Sequence, residues 1–280
     1  MNLLQNARTS KRLLTLFSMK NNTPFSLALG GGGARGLAHI WVIQTLEELS
    51  MSPISIAGTS MWAIIWALLA LWKTSCEMKD IIAGINFFTL IDPDMSQWLV
   101  KWKKIETLLE TLFDGKNFSD TKIPLQVIAT DINTGERIIL SEWKLSKAVR
   151  ASISLPGVFT PKEIDSRSLV DGGLTNNLPI EVLPEWRVIA ISALRDLTRK
   201  LKKSRTILGF DIRKSLFWNS YDLLQKTIDI MLSQNESRSL LSRKDIVYIR
   251  PKFDALDYYE FHKYEAFIRA WYMAAKNIGE

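Results

Sequence analysis

Cysteine and histidine are scarce in this chain of 280 residues, which contains one cysteine, Cys76, and two histidines. A single cysteine excludes an internal disulfide and suits a reducing compartment. Long apolar runs are also missing: the longest, 61–72, is well short of the roughly 20 residues that span a membrane, so it indicates a buried helix. The first residues lack the apolar core of an export signal. We therefore expect a cytoplasmic protein.

Acidic residues are in the minority, 29 against 36 basic ones, which leaves a net charge of +7. Most of the excess lies in the segment 195–214, where two aspartates accompany Arg195, Arg199, Lys200, Lys202, Lys203, Arg205, Arg213 and Lys214. Such a segment is either a solvated surface or a peripheral contact with an anionic membrane or lipid headgroup. Phe210 is its only aromatic residue, so nucleic acid is not expected as a partner.

Predicted strands alternate with helical patterns along most of the chain. Short apolar runs predict strands at 25–29, 54–57, 125–130, 137–140, 168–170, 187–192 and 246–249. Helical patterns cover 37–49, 61–72 and 264–276. This alternation predicts an α/β fold with a mostly parallel sheet covered on both faces. We expect a lead-in over 1–24 and a single domain over 25–280.

Gly31, Gly32, Gly33 and Gly36 form a glycine-rich loop between the first predicted strand and helix. The G-x-G-x-x-G spacing alone is weak evidence for a dinucleotide site, and the acidic residue expected about 20 positions later is missing. No Gly-Lys-Ser/Thr follows the glycines, which excludes a Walker A loop. The loop does offer backbone N–H groups at a helix N-terminus, and these suit a developing oxyanion.

The segment from Gly58 to Trp62 has the form of a nucleophile elbow, G-x-S-x-G, except that Trp62 takes the place of the last glycine. In that pattern the serine, here Ser60, stands on a sharp strand-to-helix turn. Glycines flank it because larger side chains would collide with the neighbouring strand or helix. Taken alone, a serine at a strand end is more often a helix N-cap.

A nucleophilic serine needs a base, and the two histidines are poorly placed to supply one. His39 follows the glycine-rich loop within a helical pattern, where a core role is expected, and His262 lies in a polar tail. A carboxylate is the remaining economical choice. Asp171, followed by Gly172 and Gly173, is the candidate, although an Asp-Gly-Gly sequence alone is more often a turn.

Five segments in this order resemble the bacterial patatin-like phospholipases, from about residue 25 to the C-terminus: GGGGARGLAH, GTSM, ATDINTGE, AVRASISLPGVFTP and LVDGGLTNNLPI. The resemblance implies a three-layer α/β/α sandwich and a serine acyl hydrolase that acts on lipid or other acyl esters. It implies Ser60 as the nucleophile and Asp171 as the general base of a Ser-Asp dyad. It also implies an oxyanion hole built from the amides of Gly31, Gly32 and Gly33 and braced by Arg35. No metal or other cofactor is expected.

Tryptophan departs from that family's pattern. The chain has ten tryptophans against six tyrosines, and 14 glycines, or about 5% glycine against the usual 7%. Trp72 ends a predicted helix where glycine is favoured, and Trp62 and Trp66 share the helix face behind the elbow. The others fall in turn-like contexts or where family members tend to carry small residues: Trp41, Trp98, Trp102, Trp143, Trp186, Trp218 and Trp271.

Some bacterial lineages read the codon UGA as glycine. We therefore hypothesise that all ten tryptophan positions are glycines whose UGA codons have been translated as tryptophan. At the elbow, this hypothesis turns GTSMW into GTSMG and predicts that an indole at position 62 would clash there. The alternative is a diverged homologue that is rich in tryptophan.

Three classes of function remain open on these grounds. A lipid acyl hydrolase is the leading hypothesis. A catalytically inactive relative would instead bind lipid or a partner through the same pocket and the basic segment. A nucleotide-binding protein that uses the glycine-rich loop has the least support.

Overall fold

The structure, a computed structural model, describes residues 24–33, 36, 39–85, 93–94, 99–100, 103–156, 158–184, 187–194, 206–207, 210–211 and 216–250. The helices are α1 (His39–Glu48), α2 (Ala63–Ala70), α3 (Ser75–Gly84), α4 (Lys103–Phe113), α5 (Leu145–Ser152) and α6 (Leu216–Leu241). The strands are β1 (Phe25–Leu29), β2 (Ser55–Thr59), β3 (Pro93–Asp94), β4 (Leu99–Val100), β5 (Leu125–Asp131), β6 (Arg137–Leu140), β7 (Lys162–Ile164), β8 (Arg167–Asp171), β9 (Arg187–Ile191), β10 (Thr206–Ile207), β11 (Phe210–Asp211) and β12 (Ile246–Ile249). Short 3-10 turns cover Ser60–Trp62, Phe118–Asp120 and Gly172–Leu174.

Eight of the strands form one sheet in the order β12-β9-β1-β2-β5-β8-β7, with β6 also paired to β5. The five strands from β12 to β5 are parallel to their neighbours. The strands β6 and β8 run antiparallel to β5, and β7 runs antiparallel to β8. The mostly parallel sheet expected from the sequence is confirmed, with an antiparallel region built around β5.

The core lies on both faces of this sheet, because successive strand residues point to opposite sides. Leu27 and Leu29 of β1 pack into a large cluster with apolar residues of α1 to α5. Ala28, between them, packs on the other face with Leu178 and Ile180, where Leu240 of α6 also contacts the cluster. The result is the expected three-layer α/β/α sandwich.

Strand β1 lies at the point where the sheet order turns, since β2 follows on one side and β9 lies on the other. The carboxyl ends of parallel strands at such a point form the usual binding crevice of open α/β sheets. The glycine-rich loop leaves β1 at this crevice, and Ser60 follows β2 at the same edge. The fold therefore places the glycine-rich loop and Ser60 together at the edge where such sheets bind ligands.

Several predictions from the sequence fall outside the described residues. They include residues 1–23 of the lead-in, the helix at 264–276, and all of the basic segment 195–214 except 206–207 and 210–211. The single domain over 25–280 stays a prediction. Within the described part of the chain, no helix combines the length and the apolar character needed to cross a membrane.

Candidate active site

Strand β5 brings Ser60 and Asp171 together. Its residues 125–128 pair with β2, so that Thr59 lies opposite Ile128. Its residues 129–131 pair with β8, so that Asp171 lies opposite Ala129. Because β6 pairs with residues 127–130 along one edge of β5, β2 and β8 share the opposite edge. Their carboxyl ends meet there, head to head.

Ser60 has the backbone conformation of a nucleophile elbow. Its φ of +66° lies in the left-handed region, which serine rarely adopts and which glycine adopts without strain. The Ser60 N–H donates to the hydroxyl of Ser152 at 2.8 Å, and that hydroxyl donates to the carbonyl of Ile128 at 2.6 Å. This chain of hydrogen bonds ties the turn to α5 and β5. Sequence reasoning gave Ser152 no role.

The side chain of Asp171 is in direct contact with Ser60. Ser60 Oγ donates to Asp171 Oδ2 at 2.5 Å, and the Gly173 N–H donates to Oδ1 at 2.8 Å. Burial raises the pKa of Asp171 to about 6, although the hydrogen bonds from Ser60 and Gly173 act in the opposite direction. A carboxylate near neutral pKa and next to a hydroxyl can act as a general base at ordinary pH.

Gly172 allows Asp171 to approach β5 closely. A Cβ on Gly172 would lie 2.2 Å from the carbonyl oxygen of Ile128, closer than two such atoms can pack. The Thr130 hydroxyl donates to the carbonyl of Asp171 at 3.0 Å and holds the backbone from the other side. Glycine is therefore required after the aspartate by packing against the sheet.

The glycine-rich loop lies against Ser60, since a Cβ on Gly31 would come within 2.8 Å of the Ser60 Cβ. The Gly31 N–H already donates to the carbonyl of Asn177 at 3.3 Å. Within the described ranges the amides of Gly32 and Gly33 have no hydrogen-bond partner, and an oxyanion hole at this loop stays a prediction. Arg35 lies outside the described residues.

A buried polar network supports the loop from behind. Asn177 Nδ2 lies 3.5 Å from the Gly31 carbonyl and 3.4 Å from Glu236 Oε2. Glu236, on α6, also accepts hydrogen bonds from Ser192 Oγ at 2.9 Å and Tyr248 Oη at 2.5 Å. Burial raises the pKa of Glu236. Sequence reasoning missed Glu236 because its partners lie far from it along the chain.

We expect Glu236→Ala to lower the free energy of unfolding by about 3 kcal/mol, because Ser192 Oγ and Tyr248 Oη lose their acceptor and Asn177 Nδ2 keeps only the Gly31 carbonyl. Urea denaturation followed by circular dichroism measures this loss. Glu142→Ala, at an exposed position, removes the same group and should change stability little. Equal losses in the two variants would contradict a structural role for the network.

His39 is a core residue, as expected. It is buried, its Nε2 lies 3.2 Å from the Gly30 carbonyl, and its ring contacts the indoles of Trp62 and Trp66. Burial lowers the pKa of His39 to about 3, which the hydrogen bond to Gly30 only partly offsets. The imidazole is therefore neutral, and it supports the glycine-rich loop rather than contacting Ser60 or Asp171. His262 lies outside the described residues.

The indole of Trp62 is accommodated at the elbow, which differs from the expected collision. The indole fills the space beside Gly36: a Cβ on Gly36 would lie 2.0 Å from the indole nitrogen. The indole of Trp66 fills the space beside Gly58 in the same way, since a Cβ on Gly58 would lie 2.1 Å from Trp66 Cδ1. Both side chains are buried, and neither indole N–H has a hydrogen-bond partner among the described residues. The cost at these two positions is an unsatisfied donor rather than a clash.

Trp72 and Trp143 have backbone conformations that favour glycine. Their φ angles are +66° and +68°, in a region where bulky residues are outliers. After α2, the Lys73 N–H donates to the Leu68 carbonyl and the Trp72 N–H to the Leu69 carbonyl. This is a Schellman motif, whose left-handed residue is usually glycine. The expectation of a left-handed residue at position 72 is confirmed.

Comparison with known proteins identifies the same region. The sequence profile of the family described as patatin-like phospholipase matches residues 27–184, more than half of the chain. An NTE family protein of Mycobacterium bovis is 35% identical over 164 residues, which cover 55% of this chain and 44% of that protein. Neuropathy target esterase sws of Drosophila melanogaster is 27% identical over 282 residues, or 91% of this chain and 19% of that protein. The chain therefore spans less than half the length of these relatives.

A solved structure shows the same fold. VipD from Legionella pneumophila matches with a TM-score of 0.55 and 13% sequence identity, over 94% of this chain and 67% of that one. At this level of identity the similarity concerns the arrangement of helices and strands.

Proposed function

Because the chain belongs to the patatin-like phospholipase family, we propose that it is a serine acyl hydrolase that cleaves lipid esters, with Ser60 as the nucleophile and Asp171 as the general base. One observation carries the proposal: Ser60 Oγ stands 2.5 Å from a buried carboxylate oxygen, on a strained turn at the carboxyl edge of the sheet. The proposal is tested by ester hydrolysis with and without these two side chains.

The proposed reaction has two stages. As Ser60 Oγ attacks the ester carbonyl carbon, Asp171 Oδ2 takes the hydroxyl proton, and the N–H groups of Gly32 and Gly33 stabilise the oxyanion. The alcohol then leaves with the proton from Asp171, which forms an acyl-enzyme on Ser60. Water attacks this ester while Asp171 accepts its proton. Asp171 then returns the proton to Ser60 Oγ as the acyl–oxygen bond breaks, and the carboxylic acid is released.

The raised pKa of Asp171 predicts a pH profile. The base works only when it is deprotonated, so kcat/KM should fall about tenfold for each pH unit below about 6 and reach a plateau above it. Initial rates with an uncharged p-nitrophenyl ester between about pH 4.5 and 8 measure the profile. A flat rate across this range would contradict Asp171 as the base.

We further propose that the ten tryptophan positions are glycines in the native protein. Two kinds of observation support this among the described residues. Trp72 and Trp143 have left-handed backbones, and Trp62 and Trp66 bury indole N–H groups without partners beside the catalytic turn. Glycine would remove the backbone strain at positions 72 and 143 and the unsatisfied donors at positions 62 and 66.

A peripheral contact between the basic segment 195–214 and an anionic membrane is part of the same proposal. Its support is the charge of the segment alone. Binding to vesicles should rise with their content of anionic lipid and fall with added salt.

A further inference from the structure

Three arginines from separate elements line one cleft outside the dyad. The cleft has a volume of about 770 Å³ and carries Arg137 of β6, Arg167 of β8 and Arg238 of α6. Glu136 is the only acidic residue in its lining among the residues that the structure describes. We call this cavity the arginine cleft. The described residues that line it carry three positive charges and one negative charge.

The three guanidinium groups have no protein partner in the described part of the chain: none forms an ion pair or a hydrogen bond there. Arg150 behaves differently, since it is buried and bonds to Ser154, Thr160 and Glu106. Like charges that face a common space repel each other unless an anion lies between them. The donors of the arginine cleft therefore remain available to a ligand.

The cleft is joined to the dyad by hydrogen bonds. Asn235, in its lining, donates to the carbonyls of Gly173 at 3.2 Å and Leu174 at 2.8 Å. Thr175, also in the lining, contacts Thr130 at 2.9 Å, and Thr130 bonds to the Asp171 backbone. A ligand in the cleft would touch the loop that holds the proposed base.

Strand register places the cleft close to Asp171. Arg137 pairs with Thr130, and Asp171 pairs with Ala129, on opposite edges of β5. Two strand spacings separate them, which puts the two Cα atoms about 10 Å apart. Because Ala129 and Thr130 are consecutive, the side chains of Asp171 and Arg137 leave the sheet on opposite faces. The connection between the cleft and the dyad therefore runs through the loop after Asp171, to which Asn235 and Thr130 are bonded.

We propose that the arginine cleft binds a phosphate ester, and that it holds the phosphate of the lipid whose acyl ester reaches Ser60. Guanidinium groups bind phosphate oxygens through paired, charge-assisted hydrogen bonds, which suits a cleft lined by three arginines. Binding of the phosphate ester stands on the cleft alone. Only its coupling to hydrolysis rests on the proposed function.

Binding is measured first on the full chain carrying Ser60→Ala, so that no hydrolysis occurs. Glycerol 3-phosphate and inorganic phosphate are titrated by calorimetry. Co-sedimentation then compares phosphatidylcholine vesicles that contain phosphatidic acid with the same vesicles in which diacylglycerol replaces the phosphatidic acid. Arg137→Gln, Arg167→Gln and Arg238→Gln, singly and together, should weaken binding, by about tenfold or more for the triple variant.

A matched control removes three exposed lysines elsewhere: Lys103→Gln, Lys116→Gln and Lys147→Gln. This control should bind as the parent does, and thermal melting checks that all variants fold. Binding of glycerol 3-phosphate or inorganic phosphate identifies a general phosphate site, whereas arginine-dependent binding of vesicles alone identifies a lipid headgroup site. Equal binding by the arginine variants and the parent, or no binding of either probe, overturns the proposal.

Kinetics then test the coupling in the chain with Ser60 intact. The arginine variants should raise KM for a phosphatidic acid substrate and leave the hydrolysis of p-nitrophenyl butyrate close to that of the lysine control. A parent without hydrolytic activity would contradict the proposed function but leave the binding result standing. Equal KM effects on both substrates would contradict the coupling.

Discussion

Ser60→Ala is expected to abolish ester hydrolysis, with a loss in kcat of about 10⁴-fold or more. The variant has no oxygen to attack the carbonyl and form an acyl-enzyme. Asp171→Asn should lower kcat by about 10²–10⁴-fold, because an amide keeps the shape of the side chain but cannot take the serine proton. Release of p-nitrophenol from short acyl esters measures both losses.

Asp171→Asn should also make the fold more stable above neutral pH. Burial raises the folded-state pKa of Asp171 to about 6 from 3.8, so the charged form costs free energy in the folded state. Folding favours the protonated carboxyl group. The contribution of Asp171 to the free energy of unfolding is therefore fully present below about pH 4 and is lost as the pH rises to about 6. The variant avoids this loss, and we expect a gain of about 1–3 kcal/mol at pH 8 that disappears below pH 4.

Asp165→Asn is a matched control for these measurements. It makes the same substitution at an exposed turn, where asparagine also tolerates the left-handed backbone with φ of +49°. Its activity and stability should stay close to those of the parent. An Asp171→Asn variant as active as this control would contradict the dyad. A parent without activity would favour the inactive lipid-binding relative.

The protein isolated from its own source is expected to be lighter than the printed sequence by the mass difference between ten tryptophans and ten glycines. Intact mass spectrometry measures this directly. Peptide mapping would place the change at each position. A mass that matches ten tryptophans would contradict the reassignment of UGA.

The backbone argument for the reassignment can be tested at single positions. Trp72→Gly and Trp143→Gly should each raise the free energy of unfolding by about 1 kcal/mol, because both residues are in the left-handed region. Trp41→Gly should lower it by about 1 kcal/mol or more, since Trp41 lies within α1, where glycine is unfavourable. A change in the free energy of unfolding with the same sign at all three positions would contradict the backbone argument.

Substitution of tryptophan by glycine has a different effect at the elbow, because the indoles of Trp62 and Trp66 are buried among core residues. Changing either one alone opens a cavity and removes an unsatisfied donor at the same time, with opposite effects on stability. The full set of ten glycines tests the reassignment more sharply. We expect this form to be at least as active in ester hydrolysis as the form with ten tryptophans.

Much of the fold follows from local patterns. Strands at 25–29, 125–130, 137–140, 187–192 and 246–249 were predicted within one residue of their observed bounds, because short apolar runs end at turn residues. Helix α6 was not predicted. Its buried side includes Asp229, Glu236 and Ser239, whereas Leu223 and Ile230 are exposed. Ile228 and Leu232 are also buried, so polar and apolar residues occur on both sides of the helix and its apolar periodicity is weak.

The sequence by itself determined which chemistry stands at each strand end: a glycine-rich loop, a serine on a sharp turn, and an aspartate before two glycines. These features arise from the conformational preferences of a few adjacent residues. Only the tertiary structure decided which of them meet. Ser60 and Asp171 lie 111 residues apart in the chain, and they touch because β2 and β8 share one edge of β5. The same long-range packing places Glu236 behind Gly31 and brings three arginines to one cleft, since such contacts depend on strand register and helix docking rather than on local sequence.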